Sequence, residues 1–265
     1  MINAKEAMKI YHYTSINALE KILSNRTIRF TRLDSVDDKE EEMYSHPVGI
    51  NPARYFFVSC WSKEAEESIP MWREYADGAR GVRIGLDENM FETFKINERF
   101  NSFFKVPFDY SQGYIKTFIN DASLIDLVYL AHPEEERAKC VQLDGKGFRW
   151  DNNIGQYKRS CWAYQKESRF KLLLLPIDTG TIIKNPPKSV REYMEFGLEA
   201  MNKAIVKGVN LPIGNYDVPL QHDKLDRIEV LLGPLTSRSE ENRVKEMLKG
   251  YPCACIGKSK LEIRQ

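Results

Sequence analysis

The apolar positions of the chain concentrate in one stretch, CWAYQKESRFKLLLL, where a polar half runs directly into a run of leucines. An uninterrupted apolar run over Leu172–Leu175, closed by Pro176, is typical of a strand that is buried on both faces. The pattern predicts one strand over Cys161–Leu175, and its period of two places Gln165 and Glu167 on the same face. We therefore expect an amide and a carboxylate to face one cleft from a rigid support.

The start of the chain alternates between strand and helix patterns. A short strand is predicted over Ile10–Tyr13, and apolar residues at helical spacing then predict an amphipathic helix over Ile16–Ser24 with Ser15 as its N-cap. The alternation of apolar and polar residues over Thr27–Arg32 predicts a half-buried strand. The chain thus opens with a strand, a helix packed on the core and a second strand.

The later patterns predict further strands and helices around a region, 87–151, that is expected to be a helical insertion in a single domain of residues 1–265. Pro70 lies inside the helix predicted over Glu64–Tyr75. It either breaks this helix or leaves it whole, and both alternatives stay open. In chain order the predicted elements are a strand over Arg54–Ser62, a helix over Glu64–Tyr75, a strand over Gly78–Leu86, a helix over Ile115–Ala131, a helix over Val190–Ile205, a loop over Gly208–Pro219, a strand over Ile228–Leu232, a helix over Ser237–Lys249 and a strand over Ala254–Arg264.

Composition and charge are those of an ordinary globular chain. Of the 265 residues, 42% are apolar and 29% are charged, with a net charge of +1, so no global field attracts nucleic acid. No apolar run reaches the roughly 20 residues needed to span a bilayer, and the N-terminus lacks the apolar core of a signal peptide. We expect a cytoplasmic protein with no membrane partner.

Cysteine and histidine residues show no spacing typical of a metal site. The five cysteines are an odd number in a chain without a secretory signal, which argues against a disulfide framework. Cys253 and Cys255 are interpreted as small buried residues beside a strand, because no His or Cys cluster follows them. The four histidines are isolated, and no metal is predicted.

An acidic stretch, LDSVDDKEEE, spans Leu33–Glu42. It has no apolar period, and it lacks the spaced ligands and the turn glycine of a calcium loop. It is interpreted as a solvated loop or the start of a helix.

Separate motifs then occur in a recognisable order: YHYTS, SCWS with MWREYA, GARGVRIGL, WAYQKESRF, IEVLLGPL and KSKLEIR. Over nearly the whole chain, this order resembles an uncharacterised bacterial family, a domain of unknown function. More distantly, the chain resembles the ADP-ribosyltransferase superfamily, whose members cleave NAD. The residues that carry the second resemblance are those of YHYT (His12, Tyr13 and Thr14), those of SCWS (Ser59 and Ser62) and those of QKE (Gln165 and Glu167).

The resemblance implies an α+β fold, with two packed and mostly antiparallel sheets around a cleft and helices on the flanks. It also implies NAD as the substrate, with Glu167 stabilising the oxocarbenium-like state as the nicotinamide bond breaks. Gln165 would orient the acceptor, and His12 would bond a ribose hydroxyl. Tyr13, Trp72 or Tyr75 would stack on the nicotinamide ring. Arg169 would contact phosphate or neutralise Glu167.

Structural alternatives stay open for these residues. Glu167 and Arg169 also fit a structural ion pair, and Gln165 also fits a solvated strand face. The remaining alternatives are a partly exposed hydrogen-bonding role for His12, turn caps at Ser59 and Ser62, and a core stripe that includes Met71 and Trp72.

Two other functional classes also stay open. One is a non-catalytic nucleotide-binding or interaction module of the same fold, and the other is a nuclease or nucleic-acid-binding protein. The charge balance does not indicate the nucleic-acid class, and the acceptor of ADP-ribose is not readable from the residues.

Overall fold

The computed structural model describes residues 7–44, 51–95, 101–102, 108–109, 114–116, 122–144, 147–176, 184–185 and 188–264. Its α-helices are α1 (Ile16–Asn25), α2 (Ile69–Tyr75), α3 (Pro133–Lys139), α4 (Val190–Lys207), α5 (His222–Leu225) and α6 (Arg238–Met247). Short 3₁₀ helices span Leu33–Ser35, Lys39–Glu42, Pro52–Tyr55, Ser160–Gln165 and Leu248–Gly250. Within these ranges, no helix combines the length and the apolar character needed to cross a bilayer.

The strands are numbered in chain order. They are β1 (Lys9–Thr14), β2 (Thr27–Arg32), β3 (Phe56–Ser62), β4 (Val82–Asp87), β5 (Phe94–Lys95), β6 (Asn101–Ser102), β7 (Phe108–Asp109), β8 (Tyr114–Lys116), β9 (Ile125–Asp126), β10 (Val128–Leu130), β11 (Val141–Asp144), β12 (Gly147–Trp150), β13 (Tyr157–Arg159), β14 (Glu167–Pro176), β15 (Asn215–Pro219), β16 (Glu229–Leu232) and β17 (Cys255–Lys258).

Most of these strands belong to one sheet. Its order is β17-β16-β4-β1-β3-β14-β8-β7, with β2 paired to both β3 and β15 and with β9 paired to β14. Its pairs are antiparallel except for β16 with β17. The predicted α+β class and the mostly antiparallel pairing are therefore confirmed.

The expected division into two sheets takes a different form, because hydrogen bonds join the described strands into a main sheet that branches at β3. Ser62, at one end of β3, pairs with Tyr11 of β1. At the other end, Val58 pairs with Thr31 of β2. Thus β1 and β2 follow one another along the same edge of β3, and β14 occupies the opposite edge.

The opening unit folds as predicted. Ser15 accepts a hydrogen bond from the Ala18 backbone N–H at 3.1 Å, so α1 begins with a satisfied cap. Its buried face consists of the apolar residues at helical spacing, and it ends at Arg26 in the left-handed conformation, with φ 54°. The residues buried on this face are Ile16, Leu19, Ile22 and Leu23.

The leucine run is also as predicted, but its polar end is not. Leu172–Leu175 is buried on both faces of the sheet. The strand begins at Glu167, however, and Ser160–Gln165 is a 3₁₀ helix. Lys166 joins the two in the left-handed conformation, with φ 43°, so the chain turns between Gln165 and Glu167. The prediction that these two residues alternate along one strand is wrong.

Tertiary pairing overrides local pattern in the middle of the chain. In the described part of the stretch predicted as a helix over Ile115–Ala131, short strands pair with β14 and β13 instead. The end of the predicted loop Gly208–Pro219 forms β15 against β2. Pro70 lies in the first turn of α2 and starts that helix rather than breaking it. The single domain with an insertion at about 87–151 remains a prediction.

Gly81 holds the turn between α2 and β4 in place, because its backbone packs against two other segments. A Cβ added to Gly81 lies 2.3 Å from the Thr14 carbonyl oxygen and 2.9 Å from the Ala76 carbonyl. The Gly81 N–H also donates to the Ala76 oxygen at 2.7 Å. The turn therefore has no room for a side chain.

We predict that Gly81→Ala lowers the free energy of unfolding by about 1–3 kcal/mol or more, since backbone atoms must shift to admit the methyl group. Chemical denaturation of the purified variant measures this change. Gly250→Ala is the matched control, because a Cβ there meets no atom within 4 Å. Equal stability of the two variants contradicts the close packing at this turn.

Candidate functional site

The candidate site lies where β1, β3 and β14 run side by side. Tyr11 pairs with Ser62, and Ser62 pairs with Glu167. Directly opposed residues share a face of the sheet, so these three side chains form a row across the strands. A cavity opens beside this row.

Six of the ten residues predicted for the site line this cavity. They come from β1, α2, the 3₁₀ helix before β14 and β14 itself. These residues are His12, Tyr13, Tyr75, Gln165, Glu167 and Arg169. Residues separated by more than 150 positions in the chain thus meet in one place.

A buried ion cluster of Glu41, Lys158, Glu167 and Arg169 forms the floor of the cavity. Arg169 donates from Nε to Glu167 Oε1 at 2.7 Å and from Nη1 to Glu41 Oε2 at 2.5 Å. Lys158 Nζ lies 3.2 Å from Glu41 Oε1 and 3.3 Å from Glu167 Oε2. The exposed side-chain fractions are 1%, 2%, 7% and 1% in that order of residues. Two anions and two cations therefore neutralise one another with little exposure to water.

Mutual pairing controls the ionisation of this cluster. Burial opposes the charge of Glu41, but Arg169 and Lys158 outweigh it and hold the pKa of this carboxyl below its usual value. Burial also opposes the charges of Arg169 and Lys158, yet Glu167 and Glu41 raise the pKa of both side chains. Loss of any one member leaves an uncompensated buried charge, which typically costs about 3–5 kcal/mol.

Polar contacts extend from the cluster to α2. Lys158 Nζ donates to Gln165 Oε1 at 2.8 Å, and Gln165 Nε2 donates to the Tyr75 hydroxyl at 2.6 Å. The Tyr75 hydroxyl in turn donates to Asp37. Burial and this bond to Asp37 raise the pKa of Tyr75. Gln165 is itself buried, so its interpretation as a residue of a solvated strand face is wrong.

His12 lies between two cavities. Its Nδ1 is 2.8 Å from the Cys60 carbonyl oxygen, which can only accept, so we assign the ring proton to Nδ1 and leave Nε2 as an acceptor. Burial lowers the pKa of His12, although the bond to Cys60 acts in the opposite direction. Tyr11 and Glu167 share one face of the sheet. Because His12 is the next residue of β1, strand alternation places it on the opposite face. His12 is nevertheless among the residues that line the Glu167 cavity as well as the one under α1.

Residues 71–170 match the family model described as Protein of unknown function (DUF2971). The expected resemblance to an uncharacterised domain family is confirmed over this stretch. No curated protein and no solved structure matches the chain. The matched stretch contains Tyr75, Lys158, Gln165, Glu167 and Arg169, and the superfamily resemblance stays a prediction.

The four other predicted residues lie outside this cavity. Thr14 lines the cavity under α1. Ser59 accepts a hydrogen bond from Trp61 Nε1 at 3.0 Å, and Ser62 accepts from the Glu64 N–H at 3.2 Å, which makes Ser62 a turn cap. Trp72 is fully buried and meets the edge of the Tyr13 ring at 4.9 Å between centroids, as its core alternative predicts.

Sequence reasoning missed the partners supplied by distant segments. The stretch Leu33–Glu42 was interpreted as solvated, but Glu41 is 1% exposed and Asp38 is 5% exposed. Lys158 carried no signal at all, since a lysine in a polar stretch resembles a surface residue. Glu40 of the same run is half-buried and pairs with Arg159.

Cysteine placement also differs from expectation, because Cys253 and Cys255 are exposed rather than buried. Within the described ranges, no three His, Cys, Asp or Glu side chains converge in a group that could hold a metal ion. The cavity is lined by carboxylate, amide, imidazole, phenol, thiol and cationic side chains, among others.

We predict a pH-dependent loss of stability in Glu41→Gln. Because the folded-state pKa of Glu41 is below its ordinary value of 4.5, its contribution is complete above about pH 4.5 and is lost as pH falls through the folded-state value. The variant should be less stable than the wild type by about 3 kcal/mol at pH 7. This difference should shrink on acidification.

Urea unfolding of both proteins between pH 7 and pH 3.5 measures this difference. Glu246→Gln is the control, because Glu246 forms an exposed pair with Lys249 and should leave the pH profile unchanged. A stability difference between wild type and Glu41→Gln that stays constant with pH excludes the proposed charge pairing.

Proposed function

We propose that the cavity beside Glu167 binds NAD and that the protein cleaves the bond between nicotinamide and ribose, passing ADP-ribose to an acceptor. The observation that supports this proposal is the convergence of His12, Tyr75 and Glu167 on one cavity. These residues lie on β1, α2 and β14, and the superfamily resemblance had assigned each of them a part in holding NAD.

Cleavage needs negative charge beside the ribose. The bond between C1′ and nitrogen breaks with its electron pair leaving on nicotinamide, and positive charge develops on the ribose. The acceptor then bonds to C1′ and releases a proton to solvent, or water does so in an NAD glycohydrolase. A carboxylate fixed beside this charge stabilises the transition state more than the ground state.

Glu167 has one oxygen suited to this role. Arg169 occupies Oε1 through both Nε at 2.7 Å and Nη2 at 2.5 Å. Oε2 receives a longer contact of 3.3 Å from Lys158. Since a carboxylate oxygen has two lone pairs, Oε2 can accept a further bond from a ribose hydroxyl.

Neighbouring residues orient the substrate in this proposal. Nε2 of His12 accepts a bond from the second ribose hydroxyl, and the ring of Tyr75 packs on nicotinamide. The Gln165 side chain accepts a hydrogen bond from Lys158 through Oε1 and donates one to Tyr75 through Nε2. It therefore acts as a positioning residue. Arg169 is committed to Glu41 and Glu167, which leaves phosphate recognition to another cation.

We predict that Glu167→Gln lowers the rate of nicotinamide release from NAD by about 100-fold or more, the usual cost of removing one stabilising group of a transition state. Chromatographic detection of nicotinamide measures the rate. Glu64→Gln, at an exposed carboxylate paired with Lys166, is the matched control and should retain the wild-type rate. Thermal unfolding of Glu167→Gln must show a folded protein.

Two results contradict the catalytic role. One is the absence of nicotinamide release by wild-type protein, and the other is equal release by wild type and Glu167→Gln.

A second candidate function is nucleotide binding without turnover. The observation in its favour is that both oxygens of Glu167 contact cations, which reduces the negative charge available to the ribose. The same cavity, with its histidine, phenols and amide, then serves as a binding pocket alone.

For this second function we predict that ADP-ribose raises the melting temperature while NAD releases no nicotinamide. A ligand that binds only the folded state stabilises it by mass action, by about 2.7 kcal/mol at 100 times Kd. Differential scanning fluorimetry with ADP-ribose, NAD and free ribose makes the comparison. A melting temperature unchanged by either nucleotide contradicts the binding module.

A further inference from the structure

Arg83 is a buried cation with no carboxylate partner among the residues that the structure describes. It lies on β4, opposite Tyr13 of β1 and opposite Leu231 of β16. The residue is 9% exposed. Its Nη1 donates to the Ala65 carbonyl at 2.8 Å, and its Nε has no hydrogen-bond partner within the described ranges.

Its surroundings are aromatic rather than acidic. The guanidinium carbon lies 4.5 Å from the centre of the Tyr11 ring and 5.8 Å from that of Tyr13. Among the residues that the structure describes, no carboxylate lies within 4 Å of Arg83, whereas Arg169 contacts two. Arg83 and Glu229 line one cavity, but Glu229 pairs with Lys9 at 3.0 Å.

A guanidinium remains charged at every physiological pH, and burying it without a counter-charge is costly. Stacking on tyrosine rings offsets part of this cost but supplies no anion. The planar fork of Arg83 matches the oxygens of a phosphate. A bound anion therefore completes the pairing of this side chain.

The cavity at Arg83 adjoins the one at Glu167. It is lined by Tyr11, Arg83, Gly85 and Glu229 among others. Tyr11 lines both cavities. A Cβ on Gly85 meets Tyr11 at 3.1 Å and Glu229 at 3.2 Å, so the small residue keeps space between these side chains.

We propose that Arg83, stacked on Tyr11, binds the phosphate groups of a nucleotide whose ribosyl end lies at Glu167. The identity of the ligand as a dinucleotide rests on the proposed function. The existence of an anion site at Arg83 rests only on the unmatched cation and its cavity.

The test measures binding of inorganic pyrophosphate and of ADP-ribose by isothermal titration calorimetry. Arg83→Gln should weaken both by about 10- to 100-fold, the value of one charge-assisted hydrogen bond, and Arg83→Lys should restore part of the pyrophosphate affinity. Arg243→Gln, which removes an exposed arginine paired with Glu20, should bind as the wild type does.

Leu231→Glu provides a second variant that keeps the arginine. Because Leu231 lies directly opposite Arg83, the new carboxylate should pair with the guanidinium and weaken both ligands to a similar extent. On wild-type protein, pyrophosphate should displace ADP-ribose. If neither variant folds, this competition decides the matter, since pyrophosphate that does not displace ADP-ribose overturns the proposal.

Wild-type affinity in both folded variants also overturns the proposal. The two proposals fail separately. Loss of pyrophosphate binding in Arg83→Gln, with no nicotinamide release by the wild type, sustains the anion site and refutes catalysis. Nicotinamide release with an unchanged KM for NAD in Arg83→Gln sustains catalysis and refutes the anion site.

Discussion

The pairing of Arg169 with Glu41 and Glu167 is the interaction on which the centre of the molecule depends. Arg169 is fully buried in the middle of the main sheet, where a guanidinium is tolerated only with counter-charges. Glu41 reaches it from a 3₁₀ helix between β2 and β3, and Lys158 completes the charge balance from β13. Three segments are thus fixed relative to one another by charge.

This cluster also determines the shape of the cavity above it. Lys158 holds Gln165, Gln165 holds Tyr75, and Tyr75 contacts Asp37 beside the same acidic segment. The wall formed by α2 is therefore connected to the floor by hydrogen bonds as well as by packing. A ligand that enters meets groups whose positions are already set, which lowers the entropy cost of binding.

The parts of the fold that followed from the sequence are those whose pattern is local. The face of α1, the cap at Ser15 and the buried run Leu172–Leu175 each depend on neighbours within a few residues. Gln165 and Glu167 were correctly placed together, but for the wrong reason. They meet through a left-handed turn at Lys166 and a shared contact with Lys158, rather than through strand alternation.

The burial of Glu41 could not be predicted in this way, because its partners lie 117 and 128 positions further along the chain, at Lys158 and Arg169. An acidic run has the same composition whether one of its carboxylates is solvated or enclosed. Two of the buried arginines, Arg83 and Arg169, show the same limit for cations. Both alternate with apolar residues in a strand, yet Arg169 meets two carboxylates and Arg83 meets two tyrosine rings. Since the first is neutralised within the protein and the second meets no carboxylate among the described residues, we propose that the anionic end of a ligand lies at Arg83 and its ribosyl end at Glu167.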